Sequence, residues 1–174
     1  VFDARDTIED EFSSSIFTTF LIVEDREGDM LRSEPLQVLL TGETELRTDP
    51  EIGPTLFTYF DTDELVEIVG VQSIAGLIDR RLPNGVAGST DTEVKQVAAQ
   101  LIDERGPSEI GLSAQLTTNA DGLPVAPAVL VPVLSDDSIL GFGGGGVRLG
   151  TDTAPEEYSR DVLEIIRQGE TQYQ

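Results

Sequence analysis

An uncharged, largely apolar stretch near the start of the chain constrains the fold more than any other. Residues 14–23 (SSIFTTFLIV) are rich in β-branched and aromatic side chains and carry no charge. Apolar residues on both faces predict a strand that is covered on both sides, in the middle of a sheet. An acidic turn with Gly28 follows, and then Ser33, Glu34 and Pro35, which suit the N-cap and first turn of a helix. The stretch therefore predicts a β-α unit.

Helical spacing recurs in four segments. The first runs from Glu34 to about Arg47, and the second from Ile74 to Leu82. The third has the strongest local signal: Thr90 and Glu93 form a capping box, in which each side chain satisfies the other's free backbone donor, and an apolar stripe follows. The fourth follows a second box, from Thr153 to Glu156, and we expect Gly169 to close it. The residues expected to face the core are Leu36, Leu39, Leu40 and Leu46; Ile74, Leu77, Ile78 and Leu82; Val94, Val97, Ala98, Leu101 and Ile102; and Tyr158, Val162, Ile165 and Ile166.

Two more strands are expected, with connections of several kinds. Residues 65–73 (LVEIVGVQS) are dominated by β-branched residues and predict a strand, whereas 51–62 suggests a loop that packs aromatic residues against the core. Residues 125–134 (VAPAVLVPVL) predict a strand at a sheet edge or with a bulge, because Pro127 and Pro132 cannot donate ladder hydrogen bonds. Residues 85–89 suggest a flexible linker and 119–123 a turn. For residues 108–118 a short helix and a connector both remain open.

This order of elements predicts an α+β fold, a two-layer sandwich with helices on one sheet face. The 174 residues suffice for one compact domain. We divide that single domain, 1–174, into a first β-α-β half (1–73), a helical insert (74–118) and a second β-α half (119–174).

The charge balance is extreme. The chain has 33 acidic and 11 basic residues, a net charge of −22, and Lys95 is its only lysine. Such a charge destabilises a compact state by self-repulsion unless salt screens it. We therefore expect a protein that works in near-molar salt, in a halophile. Nucleic acid is not expected as a partner, nor is an anionic membrane surface, because both bind basic patches.

Several functional classes are excluded by missing residue types. The chain has no cysteine and no histidine, so disulfides, thiol nucleophiles, Cys/His zinc sites and triads that use imidazole are ruled out. No segment approaches the roughly 18 to 20 apolar residues of a membrane span. The chain begins at Val1 without a signal-like start, and we expect a fragment of a longer protein.

No residue earns a catalytic, cofactor-binding or metal-binding assignment. The glycines at Gly141 and Gly143 to Gly146 could cradle a phosphate, but the lysine and Ser/Thr of a P-loop are absent, and a mobile loop is the preferred interpretation. Acidic clusters at 24–29, 61–64 and 136–137 could bind a divalent cation, but none has the spacing of an EF-hand loop. A carboxylate pair for glycoside hydrolysis has no specific support in so acidic a chain. We expect no enzyme, no cofactor and no metal.

Residues 11–52 (EFSSSIFTTFLIVEDREGDMLRSEPLQVLLTGETELRTDPEI) resemble the opening of an extracytoplasmic loop in the RND superfamily of exporters, of the MMPL type. The similarity covers most of Phe12 to Leu134, in short degenerate phrases. The matching positions are Gly28-Asp29, Leu31, Glu34 and Leu36, then Leu46 and Asp49, then Val71 to Ile74, and then Thr92 to Leu101.

The resemblance implies a ferredoxin-like porter domain on the external face of a cell membrane, in an exporter driven by an ion gradient, and the composition fits a halophilic archaeon. Its partners would be the membrane helices and second external domain of its own full-length chain, an exported substrate of lipidic or hydrophobic character, and other copies in a homo-oligomer. The alternative hypothesis is a halophile cell-surface binding module without a transport role.

Overall fold

The computed structural model describes residues 16–61, 65–140 and 154–171. Within these ranges the fold is mixed, with five α-helices and small antiparallel sheets, and the expected α+β class agrees with it. The strands are β1 (Ile16–Glu24), β2 (Thr58–Asp61), β3 (Val66–Val69), β4 (Thr117–Thr118), β5 (Pro124–Val125) and β6 (Ala128–Asp136). The helices are α1 (Ser33–Thr48), α2 (Ile74–Arg81), α3 (Asp91–Arg105), α4 (Asp137–Leu140) and α5 (Ala154–Thr171), with a 3-10 turn at Gly53–Thr55.

Strand β6, not β1, is central among the described strands. Along one edge it pairs antiparallel with the whole of β1, and along the other it forms single bridges to Leu56, Val71 and Leu112. Strand β1 has no second strand partner within the described ranges. Residues 125–134 were expected at a sheet edge or with a bulge, and the edge position is wrong because β6 has partners along both edges. For β1, expected mid-sheet, the described residues show a strand partner along one edge.

A proline inside a central strand is tolerated here because of where its nitrogen lies. The N–H of Leu130 donates to the carbonyl of Gly111 (2.7 Å), and the N–H of Leu134 donates to that of Gly70 (2.6 Å). Backbone groups alternate between the two edges of a strand, so the nitrogen of Pro132 lies on the same edge, between those two anchors. The proline thus costs no bond of the β1–β6 ladder.

The two faces of the β1–β6 pair differ in burial. Thr19 and Leu21 of β1 are buried, as are Val131 and Val133 of β6, because side chains alternate across a strand. On the opposite face Phe20 is 63% exposed, and Ile22, two residues along, is 71% exposed. The expected cover on both faces is therefore absent from the described part of the chain.

Helices α1 and α5 pack against each other, and α5 also contacts the buried face of β1. Gly42 of α1 faces α5, since a Cβ at this position would lie 3.6 Å from the Ile166 backbone, an ordinary van der Waals contact. Near the start of α5, Ser159 Oγ lies 3.1 Å from Thr19 Oγ1. Ile166, further along α5, lines a cleft together with Val23. Helix α5 therefore runs in the same direction as β1.

The helix predictions hold well, with corrections at the ends. Both hydrogen bonds of the capping box between Thr90 and Glu93 are formed, and α2 begins after Ser73, which caps it. Helix α1 starts at Ser33, so Ser33 is not its N-cap; the N–H of Ser33 donates instead to a carboxylate oxygen of Asp91 on α3 (2.8 Å). Helix α5 continues to Thr171, past the expected stop. Leu40, Val97, Ile102 and Ile165 are only half-buried, and the other residues expected to face the core are buried.

The connections differ from expectation in two places. Residues 51–62, expected to be a loop, contain β2, which pairs with the predicted strand β3. Residues 85–89 form hydrogen-bonded turns around the fully buried Val86, whose N–H donates to Asp79, so they are not a flexible linker. Residues 108–116 form a connector, with Ile110 and Leu112 buried. The predicted turn at Asn119 is confirmed, with its side-chain oxygen accepting two backbone N–H bonds.

Candidate apolar binding surface

The exposed side of the β1–β6 pair presents apolar side chains in register. Phe20 lies opposite Pro132, and Ile22 lies opposite Leu130, which is 38% exposed. We call these four residues the apolar face. Exposed apolar residues that touch one another mark interaction or ligand surfaces, whereas single exposed ones need no explanation. In a chain of net charge −22, four uncharged neighbours at one place are the clearest such feature within the described residues.

A cleft of about 330 Å³ adjoins the apolar face. It opens beside Pro132, where the outer edge of β6 lies between its two glycine anchors. Phe20, Leu130 and Pro132 contribute from the sheet, and Ile74 and Leu77 contribute from α2. The remaining lining is mixed in polarity: Gln72, Ser73, Arg105, Ser108, Glu109, Ile110 and Gly111.

A buried carboxylate fixes the α2 wall of the cleft. Glu43 is 1% exposed, and its Oε1 accepts the N–H of Ser73 (3.0 Å) and the Ser73 hydroxyl. Its Oε2 accepts from the guanidinium of Arg47 (3.0 Å), which also donates to the carbonyl of Val71. Ser73 Oγ in turn accepts the N–H of Ala75 and caps α2. Through Glu43 and Arg47, helix α1 thereby holds Val71, which forms a bridge to β6, and Ser73, which caps α2.

The opposite wall is held by Gly111. Its φ is +73°, and a Cβ at this position would lie 2.4 Å from the carbonyl oxygen of Leu130. Only glycine combines that left-handed conformation with so close an approach. The connector that bears Ser108 and Ile110 is therefore pinned directly against β6.

The combined surface can bind an apolar molecule with a small polar part. Its apolar groups come from two strands and a helix, while Arg105 and Glu109 place charges of opposite sign at the lining. Ligand sites typically combine apolar walls with a few polar groups that orient the ligand. Binding at this surface would rest on van der Waals contact and on the removal of apolar groups from water.

Three carboxylates of the first acidic cluster pair with the chain's own cations. Asp25 accepts from the guanidinium of Arg32 (2.8 Å), which also pairs with Glu27, while Asp29 pairs with Lys95. Burial alone would raise the pKa of Asp25, but hydrogen bonds from the Asp29 N–H and from Arg32 outweigh it, and the pKa is lowered from its ordinary value of 3.8. This arrangement organises the turn between β1 and α1.

The other acidic clusters give no cation site within the described ranges. A hydrogen bond from the Ser138 hydroxyl lowers the pKa of the Asp136 carboxyl, so this carboxylate has a partner within its own turn. Residues 62–64 lie outside the described residues, and no group of three or more acidic side chains in the described part is arranged to hold a metal ion. The Gly141–Gly146 loop and the Thr153 box also lie outside the described ranges.

Sequence reasoning missed the apolar face and the cleft. Residues 16–23 show no alternation of apolar and polar side chains, because both faces of β1 carry apolar residues, so the exposed face could not be told from the buried one. No sequence signal reveals the cleft, because Gly70 and Gly111, whose carbonyls accept from Leu134 and Leu130, come together beside β6 only in the folded chain. No helix in the described ranges is long and apolar enough to cross a membrane.

Comparisons with protein-family models, with curated proteins and with solved structures gave no match.

Proposed function

We propose that this chain is an extracytoplasmic domain of an ion-gradient-driven exporter of the RND superfamily, MMPL type, and that it contributes to substrate capture or passage. The observation that carries the proposal is the apolar face with its adjoining cleft on an otherwise strongly acidic domain. A hydrophobic or lipidic substrate would bind there because both surfaces are poorly solvated by water and because few carboxylates line this part of the domain.

The order of elements supports a ferredoxin-like version of the fold. Strand β1, helix α1, the bridge around Val71, strand β6 and helix α5 follow one another as β-α-β-β-α, with neighbouring strands antiparallel. A long segment, which includes α2 and α3, separates the second strand position from β6. The resemblance of residues 11–52 to MMPL-type loops adds support from sequence.

The first test concerns the gene around this domain. An exporter predicts apolar spans of about 20 residues on both sides. A cell-surface binding module, the alternative, predicts at most one span and no second external domain. A full-length product that stays in the aqueous phase after membranes are removed would contradict the exporter proposal.

The second test concerns the cleft and uses the full-length protein in sealed vesicles with an imposed ion gradient. We expect Leu130→Arg to slow export of the lipophilic dye N-phenyl-1-naphthylamine several-fold, because a charge would enter the apolar face. The matched control is Ile139→Arg, which alters another exposed apolar residue, 57% exposed on α4. Equal dye export by both variants and the unmodified protein would remove the cleft from the transport path.

A further inference from the structure

The cleft next to the apolar face has a floor of buried apolar side chains. Ile74 and Leu77 of α2 and Ile110 of the connector are all buried. Phe20 and Leu130 extend this apolar lining onto the exposed side of the sheet. The volume of about 330 Å³ is near the lower end of the range for ligand pockets, roughly 300–1,000 Å³. The cleft therefore has room for one small ligand or for one end of a longer one.

The apolar surface continues outside the cleft along β1. Ile22 is exposed and follows Phe20 on the same face, since alternate residues of a strand share a face. Two residues of a strand span roughly 7 Å, and the apolar surface extends beyond the cleft by that distance. An alkyl chain that begins in the cleft thus has further apolar contacts along the sheet.

The polar part of the cleft carries one charge of each sign. Arg105, at the end of α3, and Glu109, on the connector, are the charged residues among the twelve that line it. Over the whole chain acidic residues outnumber basic ones by 33 to 11, so a cleft with balanced charge differs from the rest of the molecule. A guanidinium has five N–H donors, so Arg105 can donate to a ligand in addition to a contact within the protein.

We propose that the cleft binds a zwitterionic amphiphile, a molecule with one anionic group, one cationic group and an alkyl chain. The anionic group pairs with Arg105 and the cationic group with Glu109, while the alkyl chain lies along Phe20 and Ile22. This inference rests on the proposed function of the cleft as a substrate site, and it names the class of substrate.

Electrostatics favour a zwitterion over an amphiphile with a single charge. An anion that pairs with Arg105 is opposed by Glu109 and by the net charge of −22. A cation that pairs with Glu109 is opposed by Arg105, and the many carboxylates elsewhere on the chain compete for it. A zwitterion has no net charge for the field of the protein to repel, and it pairs with both residues.

The first experiment compares three ligands with alkyl chains of equal length: N-decyl-N,N-dimethylglycine, undecanoate and decyltrimethylammonium. Titration calorimetry with the unmodified chain is run below micelle formation in about 1 M salt, where the Debye length is roughly 3 Å and charges in contact dominate. We expect the zwitterion to bind about two- to five-fold more tightly than either singly charged ligand, the range that exposed ion pairs give. Equal or tighter binding of undecanoate or decyltrimethylammonium would overturn the inference.

Glu109→Gln tests the charge selection from the side of the protein. Loss of this carboxylate should raise the affinity for undecanoate about two- to five-fold and lower that for decyltrimethylammonium by a similar factor. The matched control is Asp103→Asn, which removes an exposed carboxylate of α3 that does not line the cleft. Equal effects of the two variants would assign the selectivity to the overall charge and overturn the pairing with Glu109.

Ile22→Asn tests the path of the alkyl chain. Because Ile22 lies outside the cleft, this variant should weaken binding of the decyl zwitterion several-fold and leave binding of its butyl analogue unchanged. The control is Ile139→Asn, at another exposed apolar position, which should change neither. Unchanged binding of the decyl zwitterion to Ile22→Asn would contradict the placement of the chain along β1.

The ligand class and the exporter proposal fail in different ways. Preferred binding of the zwitterion, together with unchanged dye export by Leu130→Arg, would keep the ligand class and remove the cleft from the transport path. Dye export that depends on Leu130, without any preference for the zwitterion, would keep the cleft in the transport path and overturn the ligand class.

Discussion

Lys95, the only lysine, lies in the interior of the protein. Its side chain is 8% exposed and forms an ion pair with Asp29, and its ammonium also donates to the carbonyl of Pro124 (3.0 Å). The pair joins α3 to the turn after β1 and to β5. The chain therefore keeps its one lysine, Lys95, in the interior, where its ammonium pairs with the mostly buried carboxylate of Asp29.

We predict that Lys95→Met lowers the free energy of unfolding by about 3 kcal/mol, since it leaves the Asp29 carboxylate mostly buried without its cation. Urea denaturation in high salt measures the change. The control is Arg81→Met, which removes the exposed ion pair with Glu104 and should cost at most about 1 kcal/mol. Similar losses in the two variants would show that burial of the Lys95 pair is unimportant.

Asp25 predicts a response to acid. Its folded-state pKa lies below the ordinary value of 3.8, so its contribution to stability is fully present above that value and is lost as the pH falls through the folded-state pKa. The measurement is urea denaturation of the unmodified chain and Asp25→Asn between pH 6 and pH 3. We expect their stability difference to be constant down to about pH 4 and to shrink below it. A difference that grows on acidification would reverse the assigned sign.

At the scale of elements, β6 organises the sheet through residues that usually weaken strands. Its proline lies where no ladder bond is needed, and Gly70 and Gly111 supply the carbonyls on either side. Gly70 has a φ of +61°, and a Cβ there would lie 2.5 Å from Leu56. Hydrogen bonds from Leu134 to Gly70 and from Leu130 to Gly111 thus hold the outer edge of β6, and each glycine lies where a side chain would clash.

Gly111→Ala tests that approach, with Gly122→Ala as the control. Both glycines have positive φ, +73° and +77°, but a Cβ at residue 122 would meet nothing within 4 Å. Each variant should lose roughly 1–2 kcal/mol from the left-handed conformation, and Gly111→Ala a further 1–3 kcal/mol from the clash with Leu130. Chemical denaturation in high salt measures both. Equal losses would mean that β6 and the connector need not lie so close.

At the scale of the whole molecule, self-repulsion among carboxylates opposes the compact state. The pairs around Arg32 and Lys95 neutralise only part of the 33 acidic residues. The remaining repulsion acts over the Debye length, which falls from about 30 Å at 0.01 M salt to about 3 Å at 1 M. Stability is therefore expected to depend on salt through the molecule as a whole.

We predict that the thermal midpoint rises between about 0.01 M and 1 M sodium chloride. Each 1 kcal/mol of relieved repulsion should raise it by roughly 2–4 °C for a chain of this size. Sucrose at matched osmolality controls for solute exclusion without screening. An unchanged midpoint across this range of salt would contradict the halophilic interpretation of the composition.

Features that depend only on neighbouring residues could be predicted from the sequence. The capping box at Thr90, the turn at Asn119 and the helical stripe of α3 need only local hydrogen bonds and a 3.6-residue period, and all three form as predicted. The α+β class also followed from the order of such elements, because apolar strands and amphipathic helices must cover one another.

The position of β6 in the sheet, the partners of the acidic turn and the place of the apolar surface depend on contacts between residues that are distant in sequence. Pro132 led us to predict an edge strand. It removes no hydrogen bond of the β1–β6 ladder, because it faces the outer edge of β6, where Gly70 and Gly111, both distant in sequence, accept from its neighbours. The partner of Asp29 is Lys95, 66 residues away, which spacing cannot reveal. Both faces of β1 are apolar, so periodicity could not tell the buried side from the exposed one, and the packing of α5 against one face made that choice.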